Sequence, residues 1–324
     1  MKKKVVLTRV YQDPAIDRLK SQYRLIIAEQ NPRNLPDVLE EHADTEALIS
    51  FLSDDIGRDI ISRLPNLKII ANYAVGYNNI DFQTAIRKGI YVTHTPDILT
   101  NATADLTMAL VLAVARRIVE ADAFLRRDEF KGWGANLLLG KELNGAVMGI
   151  VGMGRIGLAT AIRAKGFGMK VVFYDRNPNK EIESRYGFEF RRFVELVKTS
   201  DVVSLHIPYS PDVHHLFNRD VLDLMKPDAI FINAARGPLM DEDYLAEKLQ
   251  NRTLLGAGLD VYEHEPQVNE KLKKLDNAVL VPHIGSATTR ARLEMAMMTV
   301  RSVDRALNGE QPDYLIPEWK PHLR

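Results

Sequence analysis

The chain has 324 residues, enough for about two domains, and its 46% apolar and 27% charged content leaves room for sizeable cores in a globular protein. Lys+Arg and Asp+Glu balance at 43 each, and nothing in that balance points to nucleic acid or an anionic membrane as partner. Cysteine is absent, which excludes disulfides, thiolate metal sites and cysteine nucleophiles and fits a reducing compartment.

The first segment, "MKKKVVLTRV", holds an apolar run of only Val5–Leu7, too short for the core of a signal peptide. Lys2 to Lys4 read as a solvated lead into the first strand. No run approaches the roughly 18 apolar residues of a membrane span, so a cytoplasmic location is expected. Short β-rich runs then alternate with helical ones. "KKVVLTR", "YRLIIAE", "EALISFL", "LKIIANYA" and "GIYVTHT" are predicted strands, with helical spacing in "DPAIDRLKSQ", "LPDVLEEHA", "IGRDIISRL" and "IDFQTAIRKG". Such alternation predicts parallel βαβ units. Past residue 100, "NATADLTMALVLAVARRIVEADAFLR" predicts one long helix, capped by Asn101 or Thr103 and buried on most sides around Met108–Val114.

Residues 128–146, "DEFKGWGANLLLGKELNGA", carry four glycines and no clean period, which predicts an extended excursion. A second series comes next: "VMGIVG", "MKVVFYD", "DVVSLHI", "AIFINAA", "LLGAGLDV" and "AVLVPHI" as strands, with helices between. The last helix, "TTRARLEMAMMTVRSVDRALNG", stops at Asn308-Gly309. The proline-punctuated tail, "QPDYLIPEWKPHLR", is expected to pack as an extended strap.

The stretch from Val147 to Asp175 carries the strongest chemical signal. An apolar strand leads into Gly152, Gly154 and Gly157, a G-x-G-x-x-G followed by a helix from Arg155 and a second strand ending at Asp175. The first glycine permits a tight turn, the second lets backbone approach a pyrophosphate, and the third lets helix pack on strand. The helix N-terminus, from Arg155 and Ile156, turns N–H groups toward the phosphates. Asp175 stands 18 residues after Gly157, where an acid receives ribose hydroxyls. A carboxylate there repels a 2′-phosphate and favours NAD, while neighbouring Arg176 leaves NADP possible.

A dehydrogenase also needs a proton donor, and often a cation for a charged substrate. Eight histidines are available. His42, His322, His214 and His215 read as solvated, and His94 as a strand-end residue without a catalytic part. His206 follows "VVSL" at the C-terminal end of a strand, the ligand-facing edge of an open α/β sheet, so cofactor contact is expected there, with Pro208 just beyond. Arg236 after "AIFINAA", Glu265 in "GLDVYEHEP" and His283 in "AVLVPHIGSAT" share that address. Asn233, Ala234 and Ala235 are small beside Arg236, and Gly237-Pro238 turns the chain away. A guanidinium, a carboxylate and an imidazole on the edge that already carries a cofactor loop outweigh three separate surface salt bridges.

Four motifs together, "GMGRIG" with Asp175, "NAARGPLMDEDYLAEKL", "GLDVYEHEP" and "PHIGSAT", resemble the D-isomer-specific 2-hydroxyacid dehydrogenase family over essentially the whole chain. Order and spacing agree, with 29 residues from Arg236 to Glu265 and 18 from Glu265 to His283. "ANYAVGYNNID" and "THTPDILTNATADLTMAL" are most similar to the glyoxylate/hydroxypyruvate reductase branch. One departure is Asn101, where that branch more often has an acid or valine. NADPH-using members tend to carry a neutral residue at the position of Asp175.

The resemblance implies an α/β chain of two doubly wound parallel-sheet domains. A Rossmann-type NAD domain, 100–287, is inserted into a flavodoxin-like substrate domain, 1–99 plus 288–324. It implies that Arg236 binds the carboxylate and keto oxygen of a small 2-oxo acid, that His283 is the acid/base, and that Glu265 hydrogen-bonds it. The backbone of Val75 and Gly76 would cradle the substrate carboxylate. Thr103, Ala234, Asp260 and Gly285 would lie along the cofactor, with Gly152, Gly154, Arg155, Ile156, Gly157, Asp175, His206 and Pro208. No metal is expected. A homodimer is implied, with "FKGWGANLLLGKELNG" reaching to the partner, and domain closure would exclude water. The rival readings are a D-lactate or D-3-phosphoglycerate dehydrogenase, and a non-catalytic NAD-sensing regulatory protein.

Overall fold

The computed structural model describes residues 2–31 and 33–322. The chain divides into two compact units, Met1–Leu99 with Ala287–Arg324, and Thr100–Ser286.

The first unit runs β1 (Lys4–Leu7), α1 (Asp13–Gln22), β2 (Arg24–Ile27), α2 (Leu35–Glu41), β3 (Ala47–Ser50), α3 (Arg58–Ser62), β4 (Ile69–Asn72), α4 (Phe82–Arg87) and β5 (Tyr91–Thr93). Its sheet is parallel throughout, in the order β2-β1-β3-β4-β5, the flavodoxin-like arrangement. Val5–Leu7, Ala47–Ile49 and Ile69–Ala71 are fully buried. They are continuous apolar runs because helices cover both faces of such a sheet.

The second unit begins with α5 (Thr100–Ala115) and α6 (Ile118–Arg126), where the sequence predicts one helix. Arg117 between them is left-handed, at φ 53°. The excursion explains the break. Its Lys141 N–H takes the Ala115 carbonyl at 2.7 Å, so that carbonyl is no longer available to prolong the helix. Arg117 then pairs through Nε and Nη2 with both carboxylate oxygens of Glu120, at 2.8 and 2.7 Å. Neither Asn101 nor Thr103 is the cap, since the helix starts at Thr100 and takes both into its first turn. Asn101 Oδ1 accepts from Arg163 at 3.2 Å.

Next come β6 (Val147–Val151), α7 (Arg155–Gly166), β7 (Lys170–Tyr174), α8 (Lys180–Tyr186), β8 (Glu189–Phe190), α9 (Phe193–Thr199), β9 (Val202–Leu205), α10 (Arg219–Leu222), β10 (Ile230–Asn233), α11 (Glu242–Gln250), β11 (Gly256–Leu259) and β12 (Ala278–Leu280). The parallel sheet has the order β12-β11-β10-β9-β6-β7-β8. Counted from β6 this is the Rossmann order with one strand added, and its switch point lies between β6 and β9. The two-residue β8 is too short to show a period. Phe231 packs into one core while its neighbours Ile230 and Ile232 pack into another, so both faces of β10 are covered.

The chain re-enters the first unit as α12 (Thr289–Leu307). Thr288 Oγ1 caps it by accepting from Ala291 N–H at 3.2 Å, and it stops at Asn308 with Gly309 at φ 81°. Its Asp304 ties it to α1, accepting from Arg18 at 2.9 Å, and to Tyr23, whose hydroxyl donates at 2.9 Å.

The tail is extended only as far as Ile316. Leu315 pairs antiparallel with Thr93, and Ile316 N–H donates to the Val92 carbonyl at 3.0 Å. The tail thus covers the open edge of β5. Pro317 then starts a 3₁₀ turn, Pro317–His322, that buries Trp319 with its Nε1 donating to the Ile90 carbonyl at 2.7 Å. Trp319→Ala is expected to lower the stability of the first unit by about 3–5 kcal/mol. Urea unfolding followed by circular dichroism measures this. A loss below about 1 kcal/mol would show that the strap is not anchored there.

Candidate active site

At the switch point, Gly152 leaves β6 at φ 99°, where a side chain would collide with the His206 carbonyl and with Ile207. A Cβ on Gly157 would stand 2.0 Å from the Gly152 oxygen, whereas one on Gly154 would meet open space. The helix thus lies hard against the turn, and Gly154 leaves room for a ligand. No side chain caps the first turn of α7, so its N–H groups can serve an anion. Asp175, at the end of β7, accepts from Met153 N–H at 2.9 Å and from Arg176 N–H at 2.7 Å, which holds its carboxylate against the glycine loop. Arg155 is exposed and Ile156 half-buried at the start of α7. These residues fit a dinucleotide.

His206 follows β9, its N–H donating to the Val151 carbonyl at 2.7 Å and its Nε2 meeting Ser204 Oγ at 2.9 Å. Desolvation pushes this imidazole down to about 3. It is therefore neutral near pH 7, which does not suit a proton carrier. Pro208 lies exposed two residues further on.

Arg236, Glu265 and His283 follow β10, β11 and β12, three neighbouring strands. Glu265 Oε2 and His283 Nδ1 are 2.9 Å apart. A carboxylate only accepts, so Nδ1 carries the hydrogen and Nε2 is the ring atom that can exchange a proton. Glu265 Oε1 accepts from Tyr262 N–H at 3.1 Å. Burial would raise Glu265, but the His283 hydrogen bond and charge, aided by Tyr262 and Arg236, hold it below its ordinary value. It remains a carboxylate at neutral pH. Arg236 Nη1 donates to the Ala235 carbonyl at 2.6 Å, which orients the guanidinium. Desolvation pulls Arg236 down from its ordinary value and the charge of Glu265 opposes this. A guanidinium keeps its proton regardless. The set can grip an anion, exchange one proton and hold the imidazole in one tautomer.

His283 sits at φ 51°, an uncommon conformation for a residue with a side chain. Asp260 maintains it. Its buried carboxylate accepts from Ile284 N–H at 2.6 Å and Gly285 N–H at 2.8 Å. Burial raises Asp260 and those two N–H groups oppose the shift. Thr103 Oγ1 donates to the Gly285 carbonyl at 3.2 Å and fastens the same turn to α5. Asp260 and Thr103 therefore meet at the histidine turn.

Asn233, expected to be merely small, is fully buried and shapes the arginine loop: Nδ2 donates to the Arg236 carbonyl at 2.9 Å and Oδ1 accepts from Ala235 N–H at 3.0 Å. An Asn at a strand end is the available signal for such a turn. Ala234 is half-buried within it. Tyr262 carries no such signal in the sequence, yet its hydroxyl donates to the Val281 carbonyl at 3.0 Å. His215, read as solvated, is half-buried and pairs through Nε2 with Glu263 Oε1 at 2.7 Å, its ring stacked on His214 at 4.0 Å. Among the described residues, His214, His215 and Glu263 group their ligand-type atoms within 4.8 Å, an arrangement this hydrogen bond and stacking account for. Val75 and Gly76 belong to the first unit, in the loop after β4.

A dinucleotide loop at a Rossmann switch point, beside an arginine, a carboxylate and a histidine, defines a nicotinamide-dependent dehydrogenase. Residues 108–285 match the family described as D-isomer specific 2-hydroxyacid dehydrogenase, NAD binding domain. The chain is 46% identical over 323 residues to glyoxylate reductase of Thermococcus litoralis, covering 98% of this chain and 97% of that one. A structure from Thermus thermophilus superposes with a TM-score of 0.90 at 42% identity, covering 97% and 99% of the two chains. The NADPH-dependent glyoxylate/hydroxypyruvate reductase of Sinorhizobium meliloti, solved with NADP and malonate, gives 0.88 at 29% identity and 98% coverage of each. The chain belongs to the D-isomer-specific 2-hydroxyacid dehydrogenase family, and its nucleotide is NAD or NADP. Among the described residues, no helix is long and apolar enough to cross a membrane.

A Cβ on Gly237 would lie 1.9 Å from the carbonyl carbon and oxygen of Tyr262, so the arginine and glutamate loops touch backbone to backbone. Gly237→Ala is expected to destabilise the unit by about 1–3 kcal/mol or more and to cut kcat with it. Thermal melts beside initial rates would expose an error if both stayed at wild-type values.

Proposed function

We propose that the protein reduces glyoxylate or hydroxypyruvate to the 2-hydroxy acid with NAD(P)H, reversibly. The observation that carries this reading is the Glu265–His283 pair at 2.9 Å, on the sheet edge that also carries Arg236. Arg236 binds the substrate carboxylate as a planar fork and favours the negative charge that builds on the keto oxygen. Val75 and Gly76 N–H groups bind the same carboxylate, which makes the first unit the substrate domain. The nicotinamide, when bound, supplies the hydride. His283 Nε2 delivers the proton to the keto oxygen in reduction and takes it back in oxidation, so reduction favours a lower pH than oxidation. Glu265 keeps the imidazole in the tautomer that makes this possible, and Asp260 keeps its backbone in place. Asp175 favours NAD, since its carboxylate would meet a 2′-phosphate as a like charge.

His283→Ala is expected to lower kcat by about 10²–10⁴-fold with NADH affinity nearly unchanged. Arg236→Lys is expected to raise KM for the 2-oxo acid by about tenfold or more, because an ammonium lacks the fork. Initial rates with glyoxylate, hydroxypyruvate, pyruvate and 3-phosphohydroxypyruvate, each with NADH and NADPH, decide the substrate and nucleotide. Pyruvate dominance would favour the D-lactate reading. No turnover, with NADH-dependent capture of a partner, would favour a regulator.

The working form is proposed to be a cytoplasmic homodimer. Supporting this, α6 buries none of its residues, and Trp133, 87% exposed, sits in the excursion beside exposed Phe130 and Leu139. Sedimentation equilibrium should return twice the mass of the chain. Trp133→Glu should shift it toward monomer, and a monomeric wild type would refute this part.

A further inference from the structure

The loop after β4 carries Val75 and Gly76, the two residues assigned to the substrate carboxylate, and three consecutive carbonyls in it are taken by donors of the same unit. The Ala74 carbonyl accepts from Thr95 N–H at 2.8 Å. The Val75 carbonyl accepts from His94 Nδ1 at 2.9 Å, and the Gly76 carbonyl from Asn72 Nδ2 at 2.8 Å. A trans peptide is planar, with its N–H opposed to its C=O. The Val75 N–H therefore points away from Thr95, and the Gly76 N–H away from His94. Thr95 and His94 are adjacent, just past edge strand β5. Both N–H groups thus point away from the donors that residues 94 and 95 supply.

Of these three donors, Thr95 acts through backbone, whatever its side chain. Asn72 is fully buried and its Oδ1 accepts from Ser50 Oγ at 3.0 Å, so it also serves the core. His94 is the side chain that sets the Val75–Gly76 peptide plane directly. A carbonyl only accepts, so His94 Nδ1 carries a hydrogen. The residue is itself held, by its N–H donating to the Tyr314 carbonyl at 3.0 Å and by its ring meeting Tyr77 edge-on at 5.6 Å.

We infer that His94 is a positioning residue for substrate binding: its Nδ1–H pins the Val75 carbonyl so that the Gly76 N–H is presented to the carboxylate of a 2-oxo acid. The inference rests on the assignment of Val75 and Gly76 to that carboxylate. The carboxylate is gripped alike in ground and transition states, so losing the pin raises KM and spares kcat.

Three variants separate the donor from the ring. His94→Leu removes both, His94→Phe keeps a ring against Tyr77, and His94→Asn keeps an amide donor near the place of Nδ1. In Leu and Phe the KM for glyoxylate should rise about tenfold, with kcat within about threefold and the KM for NADH unchanged. Asn should stay near wild type. Wild-type KM in Phe, or an Asn variant as impaired as Leu, would overturn the donor role. So would a loss spread over kcat, NADH affinity and melting temperature together, which marks a structural effect. Should the wild type reduce no 2-oxo acid, the proposed function falls and this role with it. Should it be active while His94→Leu keeps its KM, this role alone falls.

Discussion

Strands β10, β11 and β12 run side by side in one direction, so the loops that leave them emerge on one edge and hold one another through contacts to backbone. Asp260 N–H donates to the Asn233 carbonyl at 2.9 Å, joining the ends of β10 and β11. Gly237 lies against the Tyr262 carbonyl, joining the arginine loop to the glutamate loop. The Tyr262 hydroxyl reaches Val281 and the Asp260 carboxylate takes the turn after His283, joining both to β12. Arg236, Glu265 and His283 are placed by this chain of contacts before any of their side chains interacts. Holding groups so closely is what lets a site stabilise charge as it develops, without reorganising at that moment.

Address alone does not assign a role on that edge; surroundings do. His206 and His283 both follow strands of the same sheet. His206 faces a serine hydroxyl in a desolvated place and stays neutral, while His283 faces a carboxylate that orients its proton. The two acids diverge in the same way. Burial drives Asp260 upward, and its oxygens are occupied by two backbone N–H groups, which suits an anchor. Glu265 is held below its ordinary value by His283 and Arg236, which suits a permanent charge beside a histidine. Two carboxylates pushed in opposite directions by their environments divide the work.

Much of this can be read from the chain. Val5–Leu7 and Ile69–Ala71 are continuous apolar runs because both faces of their sheet are covered. The glycines at 152 and 157 announce a tight turn that a side chain would block, and Gly154 announces room beside it. Arg236, Glu265 and His283 are visible as strand-end residues. The hidden features depend on contacts between a side chain or distant backbone and a particular carbonyl or N–H, which leave no period and no motif. The break at Arg117 depends on Lys141 arriving to take the Ala115 carbonyl. The turn at Pro317 depends on Trp319 finding the Ile90 carbonyl. Asn233 passes for a small residue because its two hydrogen bonds close on residues beside it. His94 passes for a bystander because its partner is a carbonyl whose direction no sequence pattern records.

The two units engage opposite sides of the peptide plane. In the second unit Asp260 ties up the N–H groups of Ile284 and Gly285, so the turn is fixed and what it offers is the side chain of His283. In the first unit Thr95, His94 and Asn72 tie up the carbonyls of residues 74–76, so what the loop offers is N–H groups. Donor and acceptor of one peptide point in opposite directions, so whichever is engaged by the protein decides which is left for a ligand. Pinned carbonyls thus leave N–H groups to be offered by the loop in the first unit, and pinned N–H groups fix the turn that carries the His283 side chain in the second.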